Sequence, residues 1–431
     1  MSPALAIAHF KLRLGELLAT RLLRAGLGMT IAGLVGGLLG YAFQVLIGRL
    51  LSPGEYALFS AVMALTMFAS SPLGAVHMLI ARRVASFRAH NQLALLRRLY
   101  WRASQWSALA GTVFLLVLLF FTPGIQSYLK SPTSGPVLIF GLLLALSALA
   151  VVNNSFFQGM QRFGWLAGTG IAGVSLKIVF SSLLIAAGLG VGGALTGIVL
   201  SVFLVWLLGA LVTAQHFHPQ GNGNGGQLPA DPFPRGTIVP VLIANIAFVA
   251  MTQLDMVLVN YYFQPEQAGL YAAASVLGKA VLYLPGGLVI ALFPMVAENH
   301  AKGQASAQLL LQVVAVTASL CGAAAMVYWW LGPWLISLLY GPAYAGAGEL
   351  LRWYGLATLP MTLVMVAEHF LIAKGRVLFA WLFLGVAPLQ LLAIHLWHED
   401  LLYVIAILGL SGAILMLLGF GTLWREYRHG T

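Results

Sequence analysis

The sequence predicts an all-α integral membrane protein, in which about twelve transmembrane helices form two pseudo-symmetric six-helix bundles around a central cavity. Three observations lead to this prediction: the composition, the distribution of basic residues between loops, and an internal repeat. Of the 431 residues, 60% are apolar and 8% are charged, whereas a soluble domain carries roughly 25% charged residues. Several apolar runs reach the roughly 20 residues that a helix needs to cross a bilayer.

The apolar runs place the individual spans and divide the chain into two halves. Residues 1–214 form a predicted N-terminal half and residues 236–431 a C-terminal half, and residues 215–235, rich in Gly, Asn and Pro, form a cytoplasmic linker. The first basic residues precede an apolar run that is longer than the core of a signal peptide, so we expect this run to be a retained span. The predicted spans are 26–50, 56–80, 102–122, 135–159, 163–188, 191–214, 236–262, 268–295, 306–332, 346–373, 377–397 and 401–424.

The basic residues orient these spans. With the N-terminus in the cytoplasm, 17 of the 22 Lys and Arg residues fall in cytoplasmic loops or tails, as the positive-inside rule requires. We therefore expect a multi-pass membrane protein with both termini in the cytoplasm, and the family resemblance described below implies that this membrane is the inner membrane of a bacterium. The formal charge of +11 then needs no nucleic-acid partner. The basic segment 81–102 is predicted to lie along the inner membrane surface as an amphipathic helix.

An internal repeat relates the two halves. The stretch Pro53-Gly-Glu-Tyr-Ala-Leu-Phe59 matches Pro265-Glu-Gln-Ala-Gly-Leu-Tyr271 at an offset of 212 residues, and both stretches precede the second span of their half. Matches between Gly74 and Gly286, Val84 and Val296, and Ala85 and Ala297 keep the same offset. Six helices followed by six related helices of the same orientation indicate parallel repeats. Transporters are often built from such repeats, with the substrate site between them.

Short stretches across nearly the whole chain carry a family resemblance. They are Leu50-Leu-Ser-Pro-Gly-Glu-Tyr-Ala57, Gln158-Gly-Met-Gln-Arg-Phe163, Gln253-Leu-Asp255, Pro265–Ser275, Leu284-Pro-Gly-Gly287, Tyr340-Gly-Pro-Ala-Tyr344 and Ile372-Ala-Lys-Gly-Arg376. With them the chain resembles the polysaccharide-transporter branch of the multidrug/oligosaccharidyl-lipid/polysaccharide (MOP) flippase superfamily. The resemblance implies a cavity that opens alternately to each side of the membrane. It also implies an undecaprenyl-pyrophosphate-linked sugar repeat unit as the cargo, moved from the inner to the outer leaflet.

Charged residues within spans are costly and are therefore candidates for function. Lys177 and Lys279 come from opposite halves at similar depth and could receive a pyrophosphate in one central cavity, because lysine binds phosphate as a point charge. Alternatively, each lysine is neutralised by a neighbouring acid or extends to an interface. Further candidates for substrate binding are Gln44, in a glycine-rich first span, and Asn153 and Asn154, in the fourth.

The two acidic residues within spans allow two interpretations each. Asp255 either forms a buried ion pair with Lys279 or couples transport to a cation, by taking up a proton or binding sodium. Glu368 and His369 lie near the inner end of the tenth span. They form either an inner gate or proton site, or a polar pair that faces the lipid headgroups.

The sequence leaves three function classes to compare. A flippase for a lipid-linked oligosaccharide competes with a cation-coupled multidrug exporter and with an integral-membrane glycan polymerase or transferase. The sequence shows no phosphate-binding loop, no clustered catalytic residues and only one cysteine. We therefore expect a protein that is not an enzyme and uses no metal or cofactor beyond H⁺ or Na⁺. It should act as a monomer among membrane lipids, alongside other polysaccharide biosynthesis proteins.

Overall fold

The computed structural model describes residues 21–215, 235–286, 307–373 and 378–429, and all regular secondary structure in these ranges is helical. A π-helical segment, Ile185–Leu189, and a short 3-10 helix, Pro342–Tyr344, interrupt a series of α-helices. These are α1 (Arg21–Leu50), α2 (Pro53–Ser70), α3 (Leu73–Ala89), α4 (Leu93–Tyr128), α5 (Gly135–Gly159), α6 (Phe163–Leu184), α7 (Gly190–Gln215), α8 (Arg235–Tyr262), α9 (Pro265–Tyr283), α10 (Ala307–Leu339), α11 (Ala347–Ala373), α12 (Leu378–Leu396) and α13 (Leu401–His429).

The predicted fold class is confirmed. Within the described ranges, nine helical stretches are long and apolar enough to cross a membrane, or ten if the bent pair α2 and α3 is one span. One of the nine, Phe163–Gln215, contains α6, the π-helical segment and α7. The chain reverses within it, because Ser181 Oγ in α6 donates a hydrogen bond to the carbonyl of Ala194 in α7, 2.7 Å away. The predicted eighth span continues into residues 287–306, outside the described ranges, so the count of twelve stays a prediction.

Two glycines with positive φ make the reversal between α6 and α7 possible. Gly188 has φ 85° and Gly190 has φ 49°, values that glycine adopts without the strain a Cβ would cause. The helices then pack closely: a Cβ added at Gly197 would lie 2.3 Å from the backbone nitrogen of Ser181. The hairpin thus depends on glycine at its turn and also where α6 and α7 pack against each other.

The predicted span 56–80 is broken in the structure. Helix α2 ends at Ser70 and α3 begins at Leu73, with an angle of 43° between them. Pro72 lies at the break, where its ring and missing N–H prevent continuous helical hydrogen bonding. The hydroxyls of Ser70 and Ser71 donate to the carbonyls of Met67 and Phe68 at the end of α2.

The structure corrects the prediction of a surface helix over residues 81–102. These residues form the end of α3, a turn at 90–92 and the beginning of α4. Most of their large apolar side chains are buried against α5 instead of lying on the membrane surface, since residues such as Phe87 and Leu99 belong to one core cluster with Phe156. The hydropathy pattern was that of an amphipathic helix, but the apolar face packs on protein.

The two halves meet through α2, which packs against α8 and α9. Helix pairs in the N-terminal half recur in the C-terminal half: α1 packs on α6 as α8 packs on α12, and α5 packs on α7 as α11 packs on α13. Residues 216–234 of the proposed linker, together with Val296 and Ala297 of the repeat, lie outside the described residues. The division into 1–214 and 236–431 as two superposable units therefore stays a prediction.

Candidate functional site

A cavity of about 230 Å³ lies between the two halves. Helices α1 and α2 form one wall and α8 and α9 the other. Among the described residues that line it, Lys279 is the only charged one. The lining residues are Gly37, Gly40, Tyr41, Gln44, Ser60, Met63, Ala64, Met67, Gln253, Met256, Ala272, Ser275, Val276, Lys279 and Tyr283. The wall is therefore rich in hydroxyl and amide groups and carries a single positive charge.

The register of α9 places Lys279 at this cavity. The helix begins at Pro265, a residue favoured in the first turn because it has no N–H to leave unbonded. Tyr271, Ser275 and Lys279 follow at intervals of four residues, which puts them on one helix face. The lysine is 8% exposed, and its Nζ lies 3.3 Å from Asp255 Oδ1 on α8. The structure thus shows the ion pair that was one of the two interpretations of Asp255.

Two tyrosine hydroxyls complete the surroundings of Asp255, which is fully buried. Tyr271 in α9 donates to Asp255 Oδ2 at 2.8 Å, and Tyr354 in α11 donates to the same oxygen at 2.9 Å. The ring of Tyr354 reaches this position because Gly278 has no side chain, and a Cβ there would lie 2.3 Å from Tyr354 Cδ1. These contacts join α8, which carries Asp255, to α9 and α11. Oδ1 faces the ammonium group of Lys279, and Oδ2 accepts the hydrogen bonds of both tyrosines.

A second, smaller cavity lies on the other side of Lys279. It has a volume of about 20 Å³, which is enough for one water molecule. Thr252, Thr358 and Gln390 line it together with Lys279, and Gln390 Nε2 donates to the carbonyl of Met251 at 2.8 Å. Lys279 consequently separates the central cavity from a polar pocket inside the C-terminal half.

Gln44 lines the central cavity and carries an amide oxygen that is unpaired among the described residues. Its Oε1 is buried and has no hydrogen-bond partner in the described part of the chain, although buried polar atoms in proteins are nearly always paired. A ligand that donates a hydrogen bond, such as a sugar hydroxyl, would supply the missing partner. The structure therefore brings Gln44 and Lys279 to one cavity, and the binding of substrate by these residues stays a prediction.

The remaining predicted substrate-binding residues lie elsewhere. The Nζ of Lys177 lies 4.5 Å from the ring centroid of Phe43 in α1, a cation–π contact, and no described carboxylate pairs with it. The described residues that line the central cavity do not include Lys177. Its predicted contact with pyrophosphate stays a prediction.

The asparagines of α5 lie within the N-terminal half. Asn153 is buried, accepts a hydrogen bond from the hydroxyl of Tyr100 at 2.9 Å and donates one to the carbonyl of Trp206 at 2.8 Å. These bonds connect α4, α5 and α7. Asn154 is half-buried. Neither residue is among those that line the central cavity in the described structure, and their roles stay predictions.

Glu368 and His369 differ in their surroundings. Glu368 is 6% exposed and has no hydrogen-bond or ion-pair partner among the described residues. His369 is half-buried, and its Nδ1 hydrogen-bonds the carbonyl of Met365 at 2.8 Å within α11. A buried carboxyl without a partner is costly when charged, but the structure does not choose between an inner gate or proton site and a polar pair that faces the headgroups, so the role of Glu368 and His369 stays a prediction.

Contacts between the halves close the end that the loop charges predict to be external. Lys130 Nζ donates to the carbonyl of Phe263 at 2.9 Å, and Asn260 Nδ2 donates to the carbonyl of Leu129 at 2.8 Å. Nearby, the rings of Tyr128 and Tyr261 stack at a centroid distance of 4.4 Å. These contacts join α4 and the loop after it to α8 and the loop after that.

Sequence reasoning missed the two tyrosines that bind Asp255. The spacing of Tyr271, eight residues before Lys279, placed both on one helix face, but it did not show that the hydroxyl meets a carboxylate on another helix. Tyr354 lies 99 positions from Asp255 in the sequence. No local pattern could have connected them.

Comparisons with known proteins agree with this architecture. The sequence profile of the family described as "Polysaccharide biosynthesis protein" matches residues 45–348, and a comparison with curated protein sequences gives no match. An inward-facing multidrug resistance MATE family transporter of the MOP superfamily is similar with a TM-score of 0.72 and 13% identity, over 91% of this chain and 94% of that one.

Two further solved structures are similar. The lipid II flippase MurJ in an inward closed conformation gives a TM-score of 0.65 and 13% identity, over 92% of this chain and 87% of that one. A MOP superfamily transporter from Pyrococcus furiosus, described as having a binding pocket of reverse polarity that suggests a different function, gives 0.61 and 15% identity over 94% of both chains. At these identities, the likeness shows a common fold.

Proposed function

The chain belongs to the polysaccharide biosynthesis protein family, and from this premise we propose that it flips an undecaprenyl-pyrophosphate-linked oligosaccharide from the inner to the outer leaflet by alternating access. The observation that carries the proposal is the central cavity between the halves, in which Lys279 is the only charged residue among the described lining residues. An ammonium group that can turn from Asp255 into the cavity, beside neutral polar side chains, suits an anion joined to sugars.

The chemistry of the cavity matches the parts of this cargo. The ammonium group of Lys279 attracts the pyrophosphate as a point charge and leaves it free to move on. The amide oxygen of Gln44 offers an acceptor to a sugar hydroxyl, and Tyr41 and Tyr283 add aromatic rings. Support also comes from the shared fold with a lipid II flippase and with a transporter whose pocket polarity is described as reversed.

The closed external end supports the alternating-access part of the proposal. Hydrogen bonds from Lys130 and Asn260 hold the halves together there, so cargo would reach the cavity from the opposite end. Because both walls of the cavity come from one chain, we propose that a monomer carries out transport. Where a cation gradient is coupled, the partnerless carboxyl of Glu368 is the proposed site for the proton.

Transport by the purified protein in liposomes tests the proposal. A fluorescent short-chain lipid-linked glycan would be placed in both leaflets, and a membrane-impermeant enzyme would report how much of it reaches the accessible leaflet. Lys279→Gln should reduce the rate at least tenfold, and Lys279→Arg should keep part of it. Arg97→Gln is the matched control, because it removes one exposed positive charge far from the cavity. Equal rates for wild type and Lys279→Gln would refute the proposal.

A multidrug exporter is the second candidate, and the fold shared with a multidrug resistance MATE family transporter favours it. A carrier of cationic drugs requires an acidic cavity, and here the carboxylate of Asp255 is buried behind Lys279. The same liposomes distinguish the two candidates, since uptake of ethidium without glycan flipping would support the exporter. Glycan polymerisation in the absence of other enzymes would support a polymerase or transferase instead.

A further inference from the structure

We infer that Tyr271 and Tyr354 keep the Asp255 carboxylate ionised while Lys279 moves from Asp255 to the anionic group of the cargo and back. The inference rests on the proposed function and assigns to both tyrosines the part of positioning residues, which act on the cargo through Lys279. It predicts that cargo binding at Lys279 takes up no proton at Asp255.

The ion pair in its present form is poorly suited to bind an anion. Lys279 and Asp255 together carry no net charge, so an approaching pyrophosphate meets repulsion from Asp255 as well as attraction from Lys279. Lys279 must therefore turn towards the cavity that it already lines. The Nζ–Oδ1 distance is 3.3 Å, longer than the roughly 2.7–2.9 Å of common charge-assisted N–H···O bonds, and the side chain of Lys279 borders both Asp255 and the cavity.

When Lys279 leaves, the buried carboxylate loses the one cationic partner that it has among the described residues. Such a group either takes up a proton or needs other hydrogen-bond donors. The hydroxyls of Tyr271 and Tyr354 both donate to Oδ2, which is the oxygen that Lys279 does not contact. Their hydrogen bonds therefore remain after Lys279 has moved. Hydrogen bonds to the charged form of a carboxylate favour that form.

Packing holds the two hydroxyls at Asp255. Tyr271 and Tyr354 are fully buried, and their rings contact each other edge to face at a centroid distance of 5.7 Å. Each phenol has one proton to donate, and each directs it to Asp255. Because these side chains are fixed in the core, they do not follow Lys279 into the cavity.

The described structure contains no other charged group at Asp255. Tyr283, also on α9, faces the central cavity. The titratable side chains that the structure describes on the other helices packed against α8 are engaged elsewhere or exposed. In α2, Glu55 hydrogen-bonds Ser52, and Tyr56 hydrogen-bonds Tyr340. In α12, His395 hydrogen-bonds Tyr262. Tyr403 of α13 lies at the surface.

Removing both hydroxyls should therefore couple binding to a proton. In Tyr271→Phe/Tyr354→Phe, Asp255 can lose Lys279 only by becoming protonated. Anion binding then takes up one proton, so the dissociation constant should rise by up to about tenfold for each unit of pH increase. In the wild-type protein the carboxylate stays charged, and this contribution is absent.

Binding of farnesyl pyrophosphate to the full-length protein in nanodiscs tests the inference. The dissociation constant is measured between pH 6 and pH 8 for the wild type, the double variant and Tyr328→Phe. The last is a matched control, because Tyr328 donates to the carbonyl of Leu277 at 2.9 Å and not to Asp255. Comparing slopes with the wild type cancels the ionisation of the ligand itself.

We expect the slope of log Kd against pH to exceed the wild-type slope by about one in the double variant and to equal it in the control. Where the double variant does not fold, each single Tyr→Phe variant should show a smaller increase in slope. Slopes equal to the wild type in all Tyr→Phe variants, with binding abolished by Lys279→Gln, would overturn this inference and leave the proposed function standing. Binding unaffected by Lys279→Gln would overturn the proposed function as well.

Discussion

Lys130 and Phe263 join the two halves at the end that is predicted to be external: the lysine Nζ lies 2.9 Å from the phenylalanine carbonyl oxygen. Nearby, Gly54 at the beginning of α2 faces Pro265 at the beginning of α9. A Cβ added at Gly54 would lie 3.0 Å from Cβ of Pro265. The first residues of two helices related by the internal repeat thus meet across the boundary between the halves.

This proximity allows the external end to be locked. In a Cys321→Ser background, Gly54→Cys/Pro265→Cys should form a disulfide after a shift of less than about 1 Å, because bridged Cβ atoms lie about 3.5–4.5 Å apart. The oxidised protein should not transport glycan, since this end could no longer open, and a reductant should restore transport. Each single cysteine variant is a control. Full transport by the oxidised double variant would show that this end need not open.

The ion pair of Asp255 and Lys279 should show strong coupling in stability. Asp255→Asn leaves a buried ammonium group without its counter-charge and should cost about 3–5 kcal/mol. Asp255→Asn/Lys279→Gln removes both charges and should cost less than Asp255→Asn alone. Thermal unfolding in detergent measures both, with exposed Glu266→Gln as the control for loss of one acid. Additive costs in the double variant would mean that the two residues do not stabilise each other.

The glycine contact between α6 and α7 should be sensitive to one methyl group. Gly197→Ala places its Cβ against the backbone of Ser181 and should destabilise the protein by about 1–3 kcal/mol through overpacking. Gly192→Ala on the same helix meets nothing within 4 Å and should leave the melting temperature nearly unchanged. Equal melting temperatures for the two variants would contradict the close packing of the hairpin.

The predicted orientation can be tested at two exposed turns. Thr133 lies between α4 and α5, and Asn91 lies between α3 and α4. In cells that carry the Cys321→Ser protein, an impermeant maleimide should label Thr133→Cys directly and Asn91→Cys only after permeabilisation. This follows from the excess of Lys and Arg in the predicted cytoplasmic loops. The reverse labelling pattern would invert the topology and, with it, the assigned direction of transport.

Hydropathy predicted most helix bounds closely, because a span must satisfy its backbone internally and be apolar along its length. The predicted span 346–373 corresponds to α11, Ala347–Ala373, and the predicted span 377–397 to α12, Leu378–Leu396. Hydropathy failed for residues 81–102, because a helix on the membrane surface and a helix packed on the protein core both remove apolar side chains from water. Residues such as Phe87 and Leu99 suit the membrane surface and the core equally well, so the pattern alone could not choose between them.

The sequence predicted those contacts of the site that follow from the depth of a residue in the membrane. Lys279 and Asp255 lie on adjacent helices joined by a short loop, so similar depth implied contact, and the structure shows it. Contacts between distant helices depend on rotation about each helix axis, which the sequence does not specify. For this reason neither the position of Lys177 over Phe43 nor that of Tyr354 at Asp255 was foreseen.

The volume of the central cavity has a consequence for measured affinity. At about 230 Å³, it is smaller than the roughly 300–1,000 Å³ of common ligand pockets. Cargo that lies wholly within the cavity, such as a pyrophosphate with several sugars, must therefore push α1 and α2 away from α8 and α9. Part of the interaction free energy is used in this widening, so the apparent affinity is weaker than the contacts alone would give. A variant whose central cavity is held permanently open would bind its cargo more tightly and, for the same reason, release it more slowly.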